Sequence, residues 1–135
     1  MSGRAAAVAA GAVAALQSPL WLGRGRLVRL IGQPRPIDPI DLIGATHAAR
    51  AALAVRAAHV TLRWLSRAAF PVWRNTCLYR AVAECLVLRR YGIPCRLELG
   101  VGTRDVLGGI TAHAWVVRAD GAAAATSAAP LAVLR

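Results

Sequence analysis

The sequence predicts an α+β fold in which a helix that begins at a cysteine packs on a small antiparallel sheet. Apolar residues recur at helical spacing after Cys77. Apolar and polar residues then alternate over Cys95 to Val101 and again over Thr111 to Val117, as in strands with one buried face. The dipeptide Asp120-Gly121 follows as a strong hairpin signal. Further helices are expected ahead of this core.

The cysteine helix has recognisable ends. Asn75 and Thr76 are both residue types that cap helix N-termini, and Gly92 suits the left-handed position after a last turn. Cys77 therefore lies in the first turn, where unpaired backbone N–H groups and the helix dipole stabilise a thiolate. The thiolate is the reactive form of cysteine, so Cys77 is a candidate nucleophile that needs a base nearby in space.

The candidate base is His113, which lies 36 residues later in the middle of the second strand. A loop over Thr103 to Gly109 joins the two strands, and the chain after the hairpin is expected to return as a third strand over 122–129. Packing the helix on this sheet would bring Cys77 and His113 within hydrogen-bonding range. This is the layout of papain-like and transglutaminase-like thiol enzymes.

Two motifs are similar to those of a known family. The first is CLYRAVA followed by RRYGIP, and the second is AHAWV ahead of the D-G turn. With these motifs, residues 37–135 resemble the lasso-peptide leader peptidases, which are transglutaminase-like cysteine proteases of microcin-type processing. The resemblance implies a cytoplasmic bacterial enzyme that removes the leader from a ribosomally made precursor. It assigns Cys77 as the nucleophile and His113 as the general base, without a cofactor.

The resemblance also implies partners. These are the precursor's leader peptide and an asparagine-synthetase-like cyclase that closes the freed core into a lasso. Leader recognition in the family belongs to a small winged-helix-like module, which the Ala- and Arg-rich arm over residues 1–36 is too short to supply. A separate recognition protein is therefore expected. The proline-rich stretch GQPRPIDP marks the boundary between this arm and the peptidase domain over 37–135.

The chain departs from the family pattern beside the histidine. The family places an acidic residue about twelve positions after the histidine, and here Ala125 stands there. Thr126 and Ser127 are the polar side chains expected to face His113, while Asp120 is a turn residue too distant to orient its ring. A glutamate common in the family is replaced by Val117. The departure leaves two alternatives open, a weak Cys-His enzyme and an inactive scaffold of the same fold.

Other reactive residue types are interpreted as structural. Cys85 and Cys95 are expected in the core, because cysteine is most often a small buried apolar residue. A metal site built from the three cysteines and His113 would lack any close C-x-x-C pair, so no metal is expected. Trp64 and Trp115 are interpreted as core aromatics. Glu84 is interpreted as an exposed partner of Arg80 or Arg89.

The charge is strongly basic. The chain has 17 arginine and lysine residues against 6 acidic ones, and all 17 are arginine. A net charge of +11 would attract an acidic leader, anionic lipid or nucleic acid alike. Nucleic acid is not expected, because aromatics make up 5% of the chain and no reading motif is present. A basic peripheral membrane or nucleic-acid binder nevertheless stays as a third alternative. Three cysteines without paired spacing fit a reducing cytosol.

The first half of the chain is predicted to be helical. Residues 5–16 are apolar behind Arg4, in the outline of a signal peptide, but are too few for a membrane span. An Ala-rich helix that packs on the domain or contacts a membrane surface peripherally is favoured. A second helical pattern runs from Asp38 to Ala69. Its polar stripe is expected to be either a solvated face or a docking site for an acidic partner; the stripe consists of Arg56, His59, Arg63 and Arg67.

Overall fold

The structure is a computed structural model that describes residues 3–23, 25–31, 45–68, 70–104, 109–118 and 132–133. It is mixed α+β, which confirms the predicted fold class. The helices are α1 (Gly3–Leu22), α2 (Val28–Ile31), α3 (Ala45–Arg67) and α4 (Cys77–Arg90). The strands are β1 (Cys95–Arg104), β2 (Gly109–Arg118) and β3 (Ala132–Val133). The domain boundary expected after residue 36 lies outside the described residues.

Helix α1 packs on α3 and α4 through small side chains. At Gly11 a Cβ atom would collide with the α3 backbone and lie 2.9 Å from the Ala57 Cβ. Nearer the start of both helices, Gly3 lies beside the Arg50 side chain. The two helices therefore run in the same direction, and alanine and glycine let their backbones approach closely.

Helix α3 turns an alanine-rich face inward. Its most buried residues are Ala51, Ala54, Ala58 and Leu62. Trp64 lies two residues beyond Leu62, about 200° around the helix, and is 67% exposed. The interpretation of Trp64 as a core aromatic is therefore wrong, because the inward positions of α3 belong to smaller residues. The predicted polar stripe of α3 is not uniformly exposed, because His59 is partly buried whereas Arg56, Arg63 and Arg67 are exposed.

Helix α4 lies between the helical layer and the sheet. Ala83 and Val87 pack against α1 and α3 in one apolar cluster. Val82 and Cys85 contact the sheet in a second cluster that includes Leu97 of β1. Because both sides of α4 are covered in this way, the position of its first residue is fixed relative to the sheet.

The C-terminal end of α4 is held by backbone and side-chain hydrogen bonds. Gly92 has φ +69°, the left-handed conformation predicted for it, and the Ile93 N–H donates to the Leu88 carbonyl at 2.9 Å. The Arg89 guanidinium donates to the Arg29 carbonyl of α2 at 2.9 Å. It also donates to the carbonyls of Leu30 and Cys95, at 3.3 and 3.4 Å respectively. Arg89 therefore joins α2, α4 and β1.

The sheet has β1 at its centre, with β2 on one side and β3 on the other. β1 and β2 are antiparallel, and Gly100 is opposite His113. β1 continues through Thr103 to Arg104, beyond the start expected for the loop. The predicted third strand over 122–129 lies outside the described residues. The described β3 pairs with β1 and not with β2, so β2 has an open edge in this part of the chain.

Candidate active site

Cys77 is the first residue of α4, as the sequence predicts. Thr76 caps the helix in an extended conformation (φ −95°, ψ 165°), and its hydroxyl accepts a hydrogen bond from the Tyr79 N–H at 3.5 Å. The first turn contains no acidic residue, so no neighbouring carboxylate offsets the positive end of the helix dipole. The free thiol is partly buried.

His113 lies in the middle of β2 and is also partly buried. Its ring stacks on Trp115, with centroids 6.0 Å apart and the planes inclined by 21°. Trp115 is only partly buried, so it is not the core aromatic expected from the sequence. Its ring instead packs against one side of the imidazole.

Cys77 and His113 line one cavity of about 260 Å³. The other lining residues are His59, Arg80, Ala81, Glu84, Ala114, Trp115 and Val116. No hydrogen bond joins the thiol and the imidazole in the described part of the chain. The thiol instead contacts the Ala112 carbonyl oxygen at 3.9 Å, which is a weak S–H···O interaction. The structure thus brings the two predicted residues to one cavity without joining them.

The strand register explains this separation. Ala114 and Val116 are buried in the core cluster that includes α4, so their side of β2 faces the helix. Successive strand residues point to opposite faces. His113 and Trp115 therefore lie on the face away from the body of α4. The cavity is nevertheless lined from both faces of β2, by His113 and Trp115 from one and by Ala114 and Val116 from the other.

A second polar pair completes the cavity wall. His59 Nε2 of α3 lies 3.8 Å from Glu84 Oε2 of α4, and the side chains are 28% and 17% exposed. Glu84 was expected to be an exposed partner of Arg80 or Arg89, and this interpretation is wrong because Glu84 faces α3. Glu84 lies seven residues after Cys77, two helical turns along the same side of α4. The spacing was visible in the sequence, but the approach of His59 was not.

Burial shifts the pKa values of both His59 and Glu84. Burial lowers the pKa of His59, the Arg80 charge lowers it further, and a backbone hydrogen bond with Arg80 opposes the change. Burial raises the pKa of Glu84, against the opposing effect of the Arg118 charge. Both pKa values move toward the uncharged forms, so desolvation outweighs the attraction across 3.8 Å. His59 and Glu84 are a polar contact and not a strong ion pair.

Arg80 also lines the cavity, although the sequence suggests only a surface partner of Glu84. It lies one helical turn after Cys77, within the CLYRAVA motif. Its Nε is buried and makes no hydrogen bond to the described residues. A buried donor without a partner is costly.

Cys85 and Cys95 lie apart from this cavity. Both are buried in the core, as predicted, with their sulfur atoms 3.4 Å apart. The hydrogen bond with Cys95 and burial raise the pKa of the Cys85 thiol. These two residues are free thiols that pack α4 against β1. Among the described residues, no group of His, Cys, Asp and Glu is arranged to hold a metal ion.

Part of the predicted site falls outside the described residues. This part contains the expected turn residue Asp120 and the position of the departure, Ala125, together with Thr126 and Ser127. The described neighbour Val117 is partly buried on the His113 face of β2. The group that orients His113 therefore stays a prediction.

A helix-start cysteine and a strand histidine therefore line one cavity. A family model described as the transglutaminase-like superfamily matches residues 12–134. The chain belongs to the transglutaminase-like superfamily, whose members are often thiol hydrolases. The match begins within α1 and includes both candidate residues. Comparisons with curated proteins and with solved structures found no match.

Proposed function

We propose that this protein is a cytoplasmic cysteine peptidase that cleaves the leader from a lasso-peptide precursor. The observation that carries the proposal is that Cys77, at the capped start of α4, and His113 line the same cavity. Membership of the transglutaminase-like superfamily supports thiol chemistry. The lasso specificity rests on the CLYRAVA, RRYGIP and AHAWV motifs. The partners are the precursor, a separate leader-recognition protein and an asparagine-synthetase-like cyclase.

The chemistry begins when His113 turns toward Cys77 and accepts the thiol proton. The Cys77 sulfur then forms a bond to the scissile carbonyl carbon, and the carbonyl oxygen becomes an oxyanion near the N–H groups at the start of α4. The C–N bond breaks as His113 returns the proton to the leaving amine of the core peptide. Water that His113 deprotonates attacks the thioester and releases the leader carboxylate with the regenerated thiol.

The test is a cleavage assay with the precursor and its recognition protein. Wild-type protein should yield leader and core peptides whose summed mass exceeds the precursor by one water molecule. Cys77→Ala should abolish cleavage while Cys85→Ala, with an intact fold, retains it. His113→Gln should reduce cleavage by about 10²–10⁴-fold, the usual contribution of a positioned base. Normal cleavage by Cys77→Ala would disprove the peptidase proposal.

A second candidate is a non-catalytic scaffold of the same fold. It is favoured by the thiol contact with the Ala112 carbonyl, 3.9 Å away, in place of a contact with His113. It is also favoured by Ala125, which stands where the family has an orienting acid. A scaffold would bind the precursor or the recognition protein and leave the peptide bond intact.

Restoring the family's acid distinguishes the two candidates. In a weak enzyme, Ala125→Asp should raise kcat about tenfold, or by about 1.4 kcal/mol of barrier, because a carboxylate would fix the imidazole and stabilise its protonated form. KM should change little, since the gain belongs to the chemical step. Ala125→Asn is the uncharged control. If wild type, Ala125→Asp and Ala125→Asn all bind the precursor without cleaving it, the scaffold is correct.

A further inference from the structure

Cys85 of α4 and Cys95 of β1 form a pair of thiols in the core. Their sulfur atoms are 3.4 Å apart, although the residues are ten positions apart in the chain. The Cys95 sulfur also contacts the Cys85 carbonyl oxygen at 3.6 Å. The two residues are 0% and 1% exposed. The packing of α4 on β1 therefore keeps two free thiols in direct contact.

The contact between the sulfur atoms is close to what a disulfide bond requires. Formation of the bond would shorten their separation from 3.4 Å to about 2.05 Å. An approach of this size needs small rotations of the two side chains. It adds no atoms to the core, because two hydrogen atoms leave and nothing enters. The disulfide would therefore fit the space that the two thiols already occupy.

The two thiols differ in how readily they ionise. The hydrogen bond from Cys85 lowers the pKa of the Cys95 thiol, burial opposes this effect, and the Arg89 charge lowers the pKa further. The Arg89 guanidinium donates a hydrogen bond to the Cys95 carbonyl oxygen at 3.4 Å, which places a cation beside this residue. The same contact between the thiols, together with burial, raises the pKa of Cys85. Cys95 is therefore the thiol that ionises first.

We propose that Cys85 and Cys95 are a site of oxidative modification, at which hydrogen peroxide converts the two thiols into a disulfide within one chain. A small neutral peroxide is favoured over a bulky disulfide reagent because the pair is buried. The proposal concerns residues outside the cavity of Cys77. It is therefore independent of whether that cavity is catalytic.

The reaction has two steps. The Cys95 sulfur attacks one oxygen of hydrogen peroxide, the O–O bond breaks, and Cys95 becomes a sulfenic acid as one water molecule is released. The Cys85 sulfur then forms a bond to the Cys95 sulfur and displaces the sulfenic oxygen as a second water molecule. Two thiols and one peroxide thus give one disulfide and two water molecules. A thiol reductant such as dithiothreitol reverses the change.

Burial makes the oxidation slow without preventing it. The peroxide must enter the core, or reach the pair when the fold opens locally. Oxidation of the pair should therefore be slower than oxidation of the partly buried Cys77. An alkylating reagent faces a larger barrier, since its product would place additional atoms in a packed core.

The disulfide would tie α4 to β1 across the turn at Gly92. It would close the short connection between the helix and the strand, and so would restrict the unfolded chain. The oxidised protein should consequently melt at a temperature about 5–10 °C higher than the reduced protein. The described residues that line the cavity of Cys77 include neither member of the pair. The candidate nucleophile would thus stay free when the pair is oxidised.

The experiment is peroxide treatment of the folded protein, followed by peptide mapping. Remaining thiols are blocked with iodoacetamide in denaturant, and the chain is digested with trypsin without reduction. Cleavage after arginine places the three cysteines on separate peptides, 75–80, 81–89 and 91–96. We expect peptides 81–89 and 91–96 to be linked, with a mass two hydrogen atoms below their sum. Dithiothreitol should separate them, and a non-reducing gel should show a monomer.

Three variants serve as controls, and circular dichroism checks that each is folded. Cys77→Ser should give the same linked peptides, because the third thiol takes no part. Cys85→Ala should stop at a sulfenic acid on Cys95, which dimedone traps in denaturant. Cys95→Ala should give much less trapped product at Cys85. If an alanine variant does not fold, the mapping of Cys77→Ser decides by itself.

Four results would overturn the proposal. The first is peroxide oxidation of Cys77 alone, with peptides 81–89 and 91–96 still unlinked after prolonged treatment. The second is a linkage found only in dimers. The third is a lower melting temperature of the linked protein, which would show that the bond does not fit the core. The fourth is equal trapping in Cys85→Ala and Cys95→Ala, which would remove the assignment of Cys95 as the attacking thiol.

Discussion

The three cysteines are chemically similar but differ in their surroundings. Cys77 is partly buried at a helix start, whereas Cys85 and Cys95 are buried in the core with their sulfurs in contact. A thiol must be both accessible and able to ionise in order to react. Two of the three thiols fail the first condition, and the pKa of Cys85 is also raised by its hydrogen bond with Cys95 and by burial.

We therefore expect one thiol to react in the native protein. Iodoacetamide should add one group per chain to the folded protein, at Cys77, and three groups after denaturation. Peptide mass mapping locates the labels. The control is Cys77→Ser, which should take up no label while folded. Rapid native labelling of Cys85 or Cys95 would contradict the packing described for the core.

His59 provides a test of the desolvated cavity wall. Burial and the Arg80 charge lower the pKa of His59 in the folded state below its usual value of 6.5. The unfolded chain then binds the proton more readily, so the free energy of unfolding should fall as the pH drops from neutrality through 6.5. In His59→Gln this part of the decrease should be absent.

Chemical denaturation at several pH values measures this difference. Arg56→Gln changes an exposed residue three positions earlier on the same helix and should keep the wild-type pH dependence. Identical pH dependence in wild type and His59→Gln would show that His59 is not desolvated against α4.

At the scale of elements, α4 is the part that positions the site. Thr76 starts the helix one residue before Cys77, and Gly92 ends it with a positive φ. Between these points one side of α4 packs on helices and the other on the sheet. The sequence predicted both ends of α4 because caps are local. It did not predict which side of β2 the helix would cover, because alternation alone does not choose between two faces.

Arg89 is expected to contribute to the placement of α4. It donates hydrogen bonds to carbonyls of α2 and to Cys95 of β1. Arg89→Met keeps much of the aliphatic side chain and removes the donors, so it should lower the free energy of unfolding by about 1–2 kcal/mol. Thermal or urea unfolding gives the value. Arg90→Met, at the exposed neighbouring position, should change it much less, and equal effects would contradict a role for the Arg89 contacts.

At the scale of the whole molecule, the helical layer depends on small residues. A Cβ atom at Gly11 would meet the α3 backbone and Ala57. Gly11→Ala should therefore destabilise the protein by about 1–3 kcal/mol, in the range of core overpacking, although alanine favours helix formation. Gly23→Ala is the control, because a Cβ there would lie an ordinary 3.6 Å from the Pro19 carbonyl oxygen. Equal stability of the two variants would contradict the close packing of α1 on α3.

The sequence by itself determined the α+β class, the helix that begins at Cys77, and the two strands that follow. These follow from caps, turn residues and hydrophobic periodicity, which depend on neighbours within a few positions. It also indicated Cys77 and His113 as candidate catalytic residues, because a cysteine at a helix start together with a histidine in a following strand is typical of thiol enzymes. Cys85 and Cys95 were correctly predicted to lie in the core, because cysteine is usually buried.

Only the tertiary structure decided what lies around these residues. His59 enters the cavity because α3 packs on α4, and Trp64 is exposed because alanines occupy the inner face of α3. Both outcomes depend on contacts between residues far apart in the chain, which a helical or strand period does not encode. The same applies to His113. Its position relative to the Cys77 thiol depends on which face of β2 is covered by α4. It does not depend on the 36 residues that separate Cys77 and His113 in the sequence.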